Sequence, residues 1–380
     1  MKTSFEKNQI RLGSFFGVPL VFDFSWILVA LFLIFILADG YFPKEYAGWS
    51  KLAYFTVSAF TTIFFFVSVL LHELAHSYMA MKYKYNVRKI RLFIFGGITE
   101  MDEPKKAKEE LFISIAGPIA SLSLAFIFYA ISVMYAENKY VFAFAHYLYL
   151  INLILGLFNL LPGFPLDGGR VLRALIWKHT GDFTKATNIA GTVGRFIGFT
   201  LVGIGFLEMM AGFVGDGLWL TFIGWFLESA AFSQIQKQEI EKLLSGHRVK
   251  DAMTKAYGLL PYDTTVKEFV EDELFTRHRR FFFVEREGKI IGGLTLHDTA
   301  KVPRDKWDTA TVEEIMTPLS KLDKVSVNLP LVRALKKMNN KGVNQLPVVD
   351  KEGKIIGILT RESLVTYLAS LAGSDKFMKK

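Results

Sequence analysis

Two histidines four residues apart enclose a glutamate in His72-Glu73-Leu74-Ala75-His76. On an α-helix this spacing puts both imidazoles on one face, about 6 Å apart at one turn's rise, where they can share one metal ion. Glu73 neighbours His72 and can reach a water on that metal to take its proton. The pattern is a zinc-ligand and general-base arrangement, so the chemistry implied is metal-assisted hydrolysis. A catalytic zinc takes three protein ligands and leaves one position open. The chain contains no cysteine, which excludes disulfides and restricts the third ligand to His, Asp or Glu.

The element that must carry this motif is apolar. The uncharged run Leu52–Leu71, continuing to Met81, is long enough to cross a bilayer. The 380 residues are 51% hydrophobic with a mean hydropathy of +0.30, more apolar than a soluble core requires. Further spans are predicted at Val18–Ala38, which carries Asp23, at Leu111–Ala136 and at Val141–Leu166. Weaker ones are predicted at Ile189–Val214 and Leu218–Phe232, which hold Arg195, Glu208 and Glu228. No short apolar core with a small-residue cleavage site opens the chain, so the first span is expected to be retained.

Six spans place both termini on one side of the membrane. The loops on that side hold fifteen Lys and Arg residues (Lys2, Lys7, Arg11; Lys82, Lys84, Arg88, Lys89, Arg91, Lys105, Lys106, Lys108; Arg170, Arg173, Lys178, Lys185) against three, Lys44, Lys51 and Lys139, on the other. Both termini are therefore expected in the cytoplasm of a multi-pass cell-membrane protein. The same bias accounts for the net charge of +9 without a nucleic-acid partner.

Asp167 is the best candidate for the third ligand. It stands in Asn159-Leu-Leu-Pro-Gly-Phe-Pro-Leu-Asp167-Gly-Gly-Arg170, where Pro162, Gly163, Pro165, Gly168 and Gly169 break any regular helix. Irregular backbone at membrane depth is tolerated where it lines a protein-walled or watery cavity, and a carboxylate there marks a functional site. His72 lies ten residues before Lys82, roughly 15 Å from the cytoplasmic edge at helical rise. Between these spans Val87–Met101 reads as a membrane-associated β-element, with Ile90, Leu92, Ile94 and Ile98 alternating and Gly96-Gly97 as punctuation. It is either a plain interfacial hairpin or an edge that pairs with an extended substrate.

After Lys237 the composition turns soluble and a repeat appears. Val249-Lys-Asp-Ala-Met-Thr and Val312-Glu-Glu-Ile-Met-Thr-Pro open two units, each running into a β-rich stretch with a shared Glu-Gly-Lys-Ile-Ile-Gly. This resembles a tandem pair of CBS domains over about residues 246–370. The expected organisation is a transmembrane domain at 1–237, a linker at 238–247, and α/β CBS units at 248–304 and 311–372. CBS pairs in general bind adenine nucleotides such as ATP or AMP and often form homodimers. The Thr-x-x-Asp that the resemblance assigns to ribose and phosphate is Thr295 and Asp298 in the first unit. The second has Thr360 followed by Ser363 where the acid is expected.

His72–His76 in one span with Asn159–Arg170 in a later one resembles the site-2 protease family of intramembrane zinc metalloproteases, over about residues 52–175. Ala116-Gly117-Pro118 is similar to that family as well, and the CBS tail resembles its archaeal and bacterial branch. The resemblance implies that His72, His76 and Asp167 bind Zn2+, that Glu73 is the catalytic base, and that Asn159 steadies the oxyanion or substrate. It implies a single-span membrane-protein substrate within the lipid bilayer. The alternative is a membrane transporter or receptor with a nucleotide-sensing tail, which has no obvious need for a base at Glu73. His146 reads as a hydrogen-bonded or interfacial residue. His179, His247, His278 and His297 read as surface residues. Arg277–Arg280 reads as a solvated face, with a phosphate role in the CBS cleft as the other reading. The Phe64-Phe65-Phe66 run reads as lipid contact and helix packing.

Overall fold

A computed structural model describes residues 9–15, 17–93, 96–274 and 281–378. Ile94 and Arg277–Arg280, with His278, lie outside them. The chain divides into two units, Met1–Gln238 and Glu239–Lys380.

Among the described residues, the first unit is built on seven helices of more than ten residues. They are α1 (Phe24–Ile36), α2 (Lys51–Lys82), α3 (Ala107–Met134), α4 (Lys139–Asn159), α5 (Asp167–Thr180), α6 (Phe183–Met210) and α7 (Val214–Leu243). Short polar residues open several of them, satisfying amide groups that a helix start leaves free: Asp23 for α1, Ser50 for α2, Asn138 for α4 and Asp182 for α6. Five helices among the described residues have the length and hydropathy to cross a membrane: Phe24–Glu45, α2, α3, α4 and α6. The expected fourth span ends as a helix at Asn159, and the proline- and glycine-broken stretch leads irregularly into α5.

The α7 helix is less apolar and is not among those five. It nevertheless tracks α6 antiparallel along its length. Gly217 meets Gly205, Gly224 meets Gly198, and Ile235 packs on Gly191. Arg195 pairs with Glu228 at 2.7 Å, and Gln238 donates to Thr184 at 3.3 Å. Glycines let the two backbones approach closely, and the one ion pair is shared between the helices rather than left to lipid. These contacts run from Gly217 against Gly205 to Gln238 against Thr184, so α7 packs along most of α6.

The β-element is larger than expected. Strands β1 (Gln9–Phe15), β2 (Val18–Asp23), β3 (Val87–Phe93) and β4 (Gly96–Met101) form one sheet in that order, with β2 and β3 parallel and the other pairs antiparallel. The expected first span began at Val18, but Val18–Asp23 is strand and the helix starts at Phe24. An apolar run of this length fits strand or helix equally, and Pro19 with the Asp23 cap settles it for strand. Arg91 of β3 donates to Asp23 at 2.8 Å. Phe22, Leu92 and Val69 of α2 share a buried cluster, so the sheet rests on α2 one turn before His72.

The second unit repeats one topology. Strands β5 (Gly258–Pro261), β6 (Phe281–Arg286), β7 (Lys289–Thr295) and β8 (Thr317–Pro318) form one sheet. Strands β9 (Val325–Ser326), β10 (Gln345–Val349) and β11 (Ile355–Thr360) form the other. In each, a parallel pair is followed by an antiparallel hairpin. The opening segments are exchanged. Val249 and Ala252 pack into the core of the second repeat, with Leu331, Leu346 and Leu359. Val312 and Ile315 pack into that of the first, with Leu260, Phe269 and Phe282. The stretches 248–304 and 311–372 therefore share their cores.

Candidate metal centre

The buried face of α2 is polar for an apolar helix: Ser58, Thr61, Thr62, Ser68, His72, His76 and Ser77 all point inward. Its helical spacing carries His72 and His76, each 4% exposed, to the same side. Asp167, the first residue of α5, meets them. Asp167 Oδ2 lies 3.1 Å from Nε2 of both histidines, and the two Nε2 atoms lie 3.2 Å apart. Among the described residues this is the one group of three or more His, Asp or Glu residues gathered closely enough to hold a metal ion.

The donor set fits a cation. His76 Nδ1 donates to the Ile113 carbonyl at 2.7 Å, which leaves a lone pair on Nε2 of the neutral ring. His72 Nδ1 is held by Ser121 Oγ at 2.8 Å. Bare nitrogens and a carboxylate oxygen repel one another unless positive charge lies among them. A tetrahedral zinc with ligands at 2.0–2.1 Å separates its donors by about 3.3 Å, close to the spacing found. The outward ring nitrogens bonded to a carbonyl and a hydroxyl are the usual orienting partners of metal-bound histidines.

The α3 helix makes room for this cluster at Gly117. A Cβ there would fall 2.2 Å from His76 Nε2 and 2.5 Å from His72 Nε2. The segment before Asp167 is held by α6: Phe164 N donates to the Ala190 carbonyl at 3.2 Å, and Gly163 packs on Gly194.

Glu73 turns toward the sheet. Thr99 Oγ1 of β4 donates to Glu73 Oε2 at 2.8 Å, and Ser77 Oγ donates to the Glu73 carbonyl at 2.9 Å. Gly97 allows the approach, since a Cβ there would lie 2.4 Å from Glu73 Cγ. Strand β4 is the outer strand of its sheet. The structure thus brings His72, His76 and Asp167 together with Glu73 alongside. Asn159 is not joined to them by a hydrogen bond; its amide donates to Leu155 O in its own helix at 2.9 Å.

Thr295 and Asp298 meet in the second unit. Asp298 Oδ2 accepts from the Thr295 amide at 2.8 Å and its hydroxyl at 2.7 Å, and Oδ1 lies 2.8 Å from Lys301 Nζ. Burial opposes ionisation of this carboxyl, yet Lys301 and Thr295 hold it below the usual carboxylate range. In the other repeat Ser363 takes the place of the acid, exchanging hydrogen bonds with Thr360 at 3.0–3.1 Å. His146 stacks on Phe142, and His247 bonds Tyr367 at 2.7 Å.

Thr99, Gly97, Gly117 and Ser121 were not singled out as site residues by their own chemistry. Their roles come from tertiary neighbours, and only the Ala-Gly-Pro sequence around Gly117 had a family resemblance to mark it.

The chain is similar to known proteins over nearly its whole length. The family model described as peptidase family M50 matches residues 60–140 and 134–201, and that of the CBS domain matches 312–370. Rip3 of Mycobacterium tuberculosis is 33% identical over 360 residues, covering 93% of this chain and 91% of its own. A zinc metalloprotease of Methanocaldococcus jannaschii is 31% identical over 368 residues, covering 96% and 97%. The solved site-2 protease from Methanocaldococcus jannaschii is 30% identical, with a TM-score of 0.42, over 60% of this chain and 95% of that one. The chain belongs to peptidase family M50, the site-2 protease family, with a CBS domain in its second unit.

Proposed function

We propose that the chain is an intramembrane zinc endopeptidase that hydrolyses peptide bonds within the membrane-spanning segments of single-span proteins. One observation carries this reading: two imidazole nitrogens on a helix of membrane-crossing length and the carboxylate oxygen that opens α5 converge, with Glu73 beside them. His72, His76 and Asp167 would hold the metal. Zinc bound there supplies Lewis-acid polarisation of a peptide carbonyl and acidifies water. Glu73 accepts the proton of the attacking water and passes it to the departing amine. Thr99 holds one carboxylate oxygen, Oε2, and the other, Oε1, is assigned to the attacking water. Strand β4 offers an unpaired edge beside the base, suited to a substrate segment unwound into extended form. Asn159 is assigned an oxyanion or substrate contact in the substrate-bound state. A carrier or receptor has no use for a carboxylate held in this position.

The test replaces Glu73 by Gln in the purified chain. Zinc content should match wild type, while cleavage of a synthetic single-span peptide in lipid vesicles should fall by about 10²–10⁴-fold. Unchanged cleavage would remove Glu73 from the mechanism.

We further propose that Thr295 and Asp298 bind the ribose and phosphates of ATP or AMP, that the CBS pair regulates cleavage and supports a homodimer, and that both termini are cytoplasmic. Calorimetric titration of AMP and ATP into the full chain should show binding that Asp298→Asn abolishes. No heat of binding with either nucleotide would discard the nucleotide reading.

A further inference from the structure

The α3 helix presents one continuous face to the metal centre. Residues 110, 113, 117 and 121 recur at helical spacing, and each meets a different part of the site. Ser121 holds His72, the Ile113 carbonyl holds His76, and Gly117 leaves space for the donor atoms. Glu110, at the end of this row, is fully buried and accepts from Arg173 of α5, donated through Nε at 2.9 Å and through a second, shorter bond. Arg170 Nε lies 4.0 Å from the same oxygen. Arg173 is 7% exposed. Its guanidinium also lies 5.0 Å from the Phe164 ring, in the segment before Asp167, and 4.6 Å from the Phe183 ring, which opens α6.

Asp167 is the first residue of α5 and follows an irregular stretch. No preceding helical turn fixes where its carboxylate points, so its aim depends on the hold of α6 on the Phe164 segment at one side and on the placement of α5 as a body at the other. Arg173 lies six residues on, roughly 9 Å along the axis, and two of its guanidinium N–H groups converge on the one oxygen Glu110 Oε1, which fixes direction as well as distance. An apolar contact at that point would let the helix slide or rotate.

We infer that the Glu110–Arg173 pair is a positioning device that aims Asp167 at His72 and His76, so that α3 sets all three donors of the metal site. This rests on the reading of those three residues as zinc ligands. The pair does not touch the metal or the substrate, so Glu110 and Arg173 are positioning residues.

The experiment measures zinc affinity of the full chain in detergent by competition with a chromophoric chelator. The pair is replaced together, Glu110→Gln with Arg173→Met, which removes both charges and leaves neither buried alone. Arg173→Lys, which keeps the charge without the fork, is the second variant. Each is made with Asp167 present and in an Asp167→Ala background. With Asp167 present, the neutral pair should weaken zinc binding by about tenfold or more, and Arg173→Lys by less. In the Asp167→Ala background the same changes should cost less than about twofold, because the residue they aim is gone. Unchanged affinity in either variant with Asp167 present, or equal losses in both backgrounds, overturns the inference. A wild-type chain whose zinc affinity does not respond to Asp167→Ala alone refutes the ligand reading itself, and this inference with it.

Discussion

At the residue scale, the site depends on what is absent as much as on what is present. Gly117 leaves the donor atoms a space that a single methyl group would fill, with its Cβ 2.2 Å from His76 Nε2. Gly117→Ala must push the imidazoles apart or shift α3, a class of overpacking that costs about 1–3 kcal/mol. The expected result is loss of bound zinc by more than about tenfold while the chain still folds, read by metal analysis of the purified variant. Zinc content equal to wild type would show that the cluster has slack. His72, Glu73 and His76 were legible in the sequence because helical spacing is local geometry. Asp167 was legible because its prolines and glycines announce irregular backbone where an apolar chain ought to continue. Thr99 and Ser121 were not, since a threonine in a strand and a serine in a helix give no local sign that Glu73 and His72 lie against them.

At the element scale, a second helix that carries none of the three donor residues also shapes the site. The α6 helix meets the segment before Asp167 at Gly194, where a Cβ would lie 2.1 Å from the Phe164 carbonyl oxygen. Backbone on the far side cannot rotate away as a side chain can. Gly194→Ala should therefore displace the Phe164 segment and lower zinc affinity. Gly203→Ala, on the same helix with nothing within 4 Å of its Cβ, should leave zinc binding intact. It should raise stability by up to about 1 kcal/mol through helix propensity. Zinc titration and thermal unfolding of both variants check the contrast, and equal zinc affinity in the two would detach α6 from the site. The β3–β4 strands were legible from alternation and paired glycines. Their partner β2 was hidden, because Val18–Asp23 joins an apolar stretch that continues into α1, and a buried parallel strand is as uniformly hydrophobic as a helix.

At the scale of the whole molecule, the repeat in the second unit was legible from its shared motifs. The exchange of opening segments between the two cores was not, because Val249 and Val312 look alike in sequence and only packing decides which core each enters. Topology turns on one helix. Five spans would leave residues 239–380 on the side opposite Lys178; a sixth returns them to it. Hydropathy alone omits α7, yet its contacts with α6 run from Gly217 against Gly205 to Gln238 against Thr184, the whole depth of a spanning neighbour. The absence of cysteine makes this testable without removing any native thiol. Single substitutions Glu137→Cys, Lys178→Cys and Lys351→Cys each place a thiol at an exposed position. With a membrane-impermeant maleimide on intact cells, Glu137→Cys should label, while the other two should label only after the membrane is opened. Labelling of Lys351→Cys together with Glu137→Cys would mean that α7 does not cross. The second unit would then face away from the cytoplasm, and the proposed regulation by cellular ATP or AMP would fall with the sixth span.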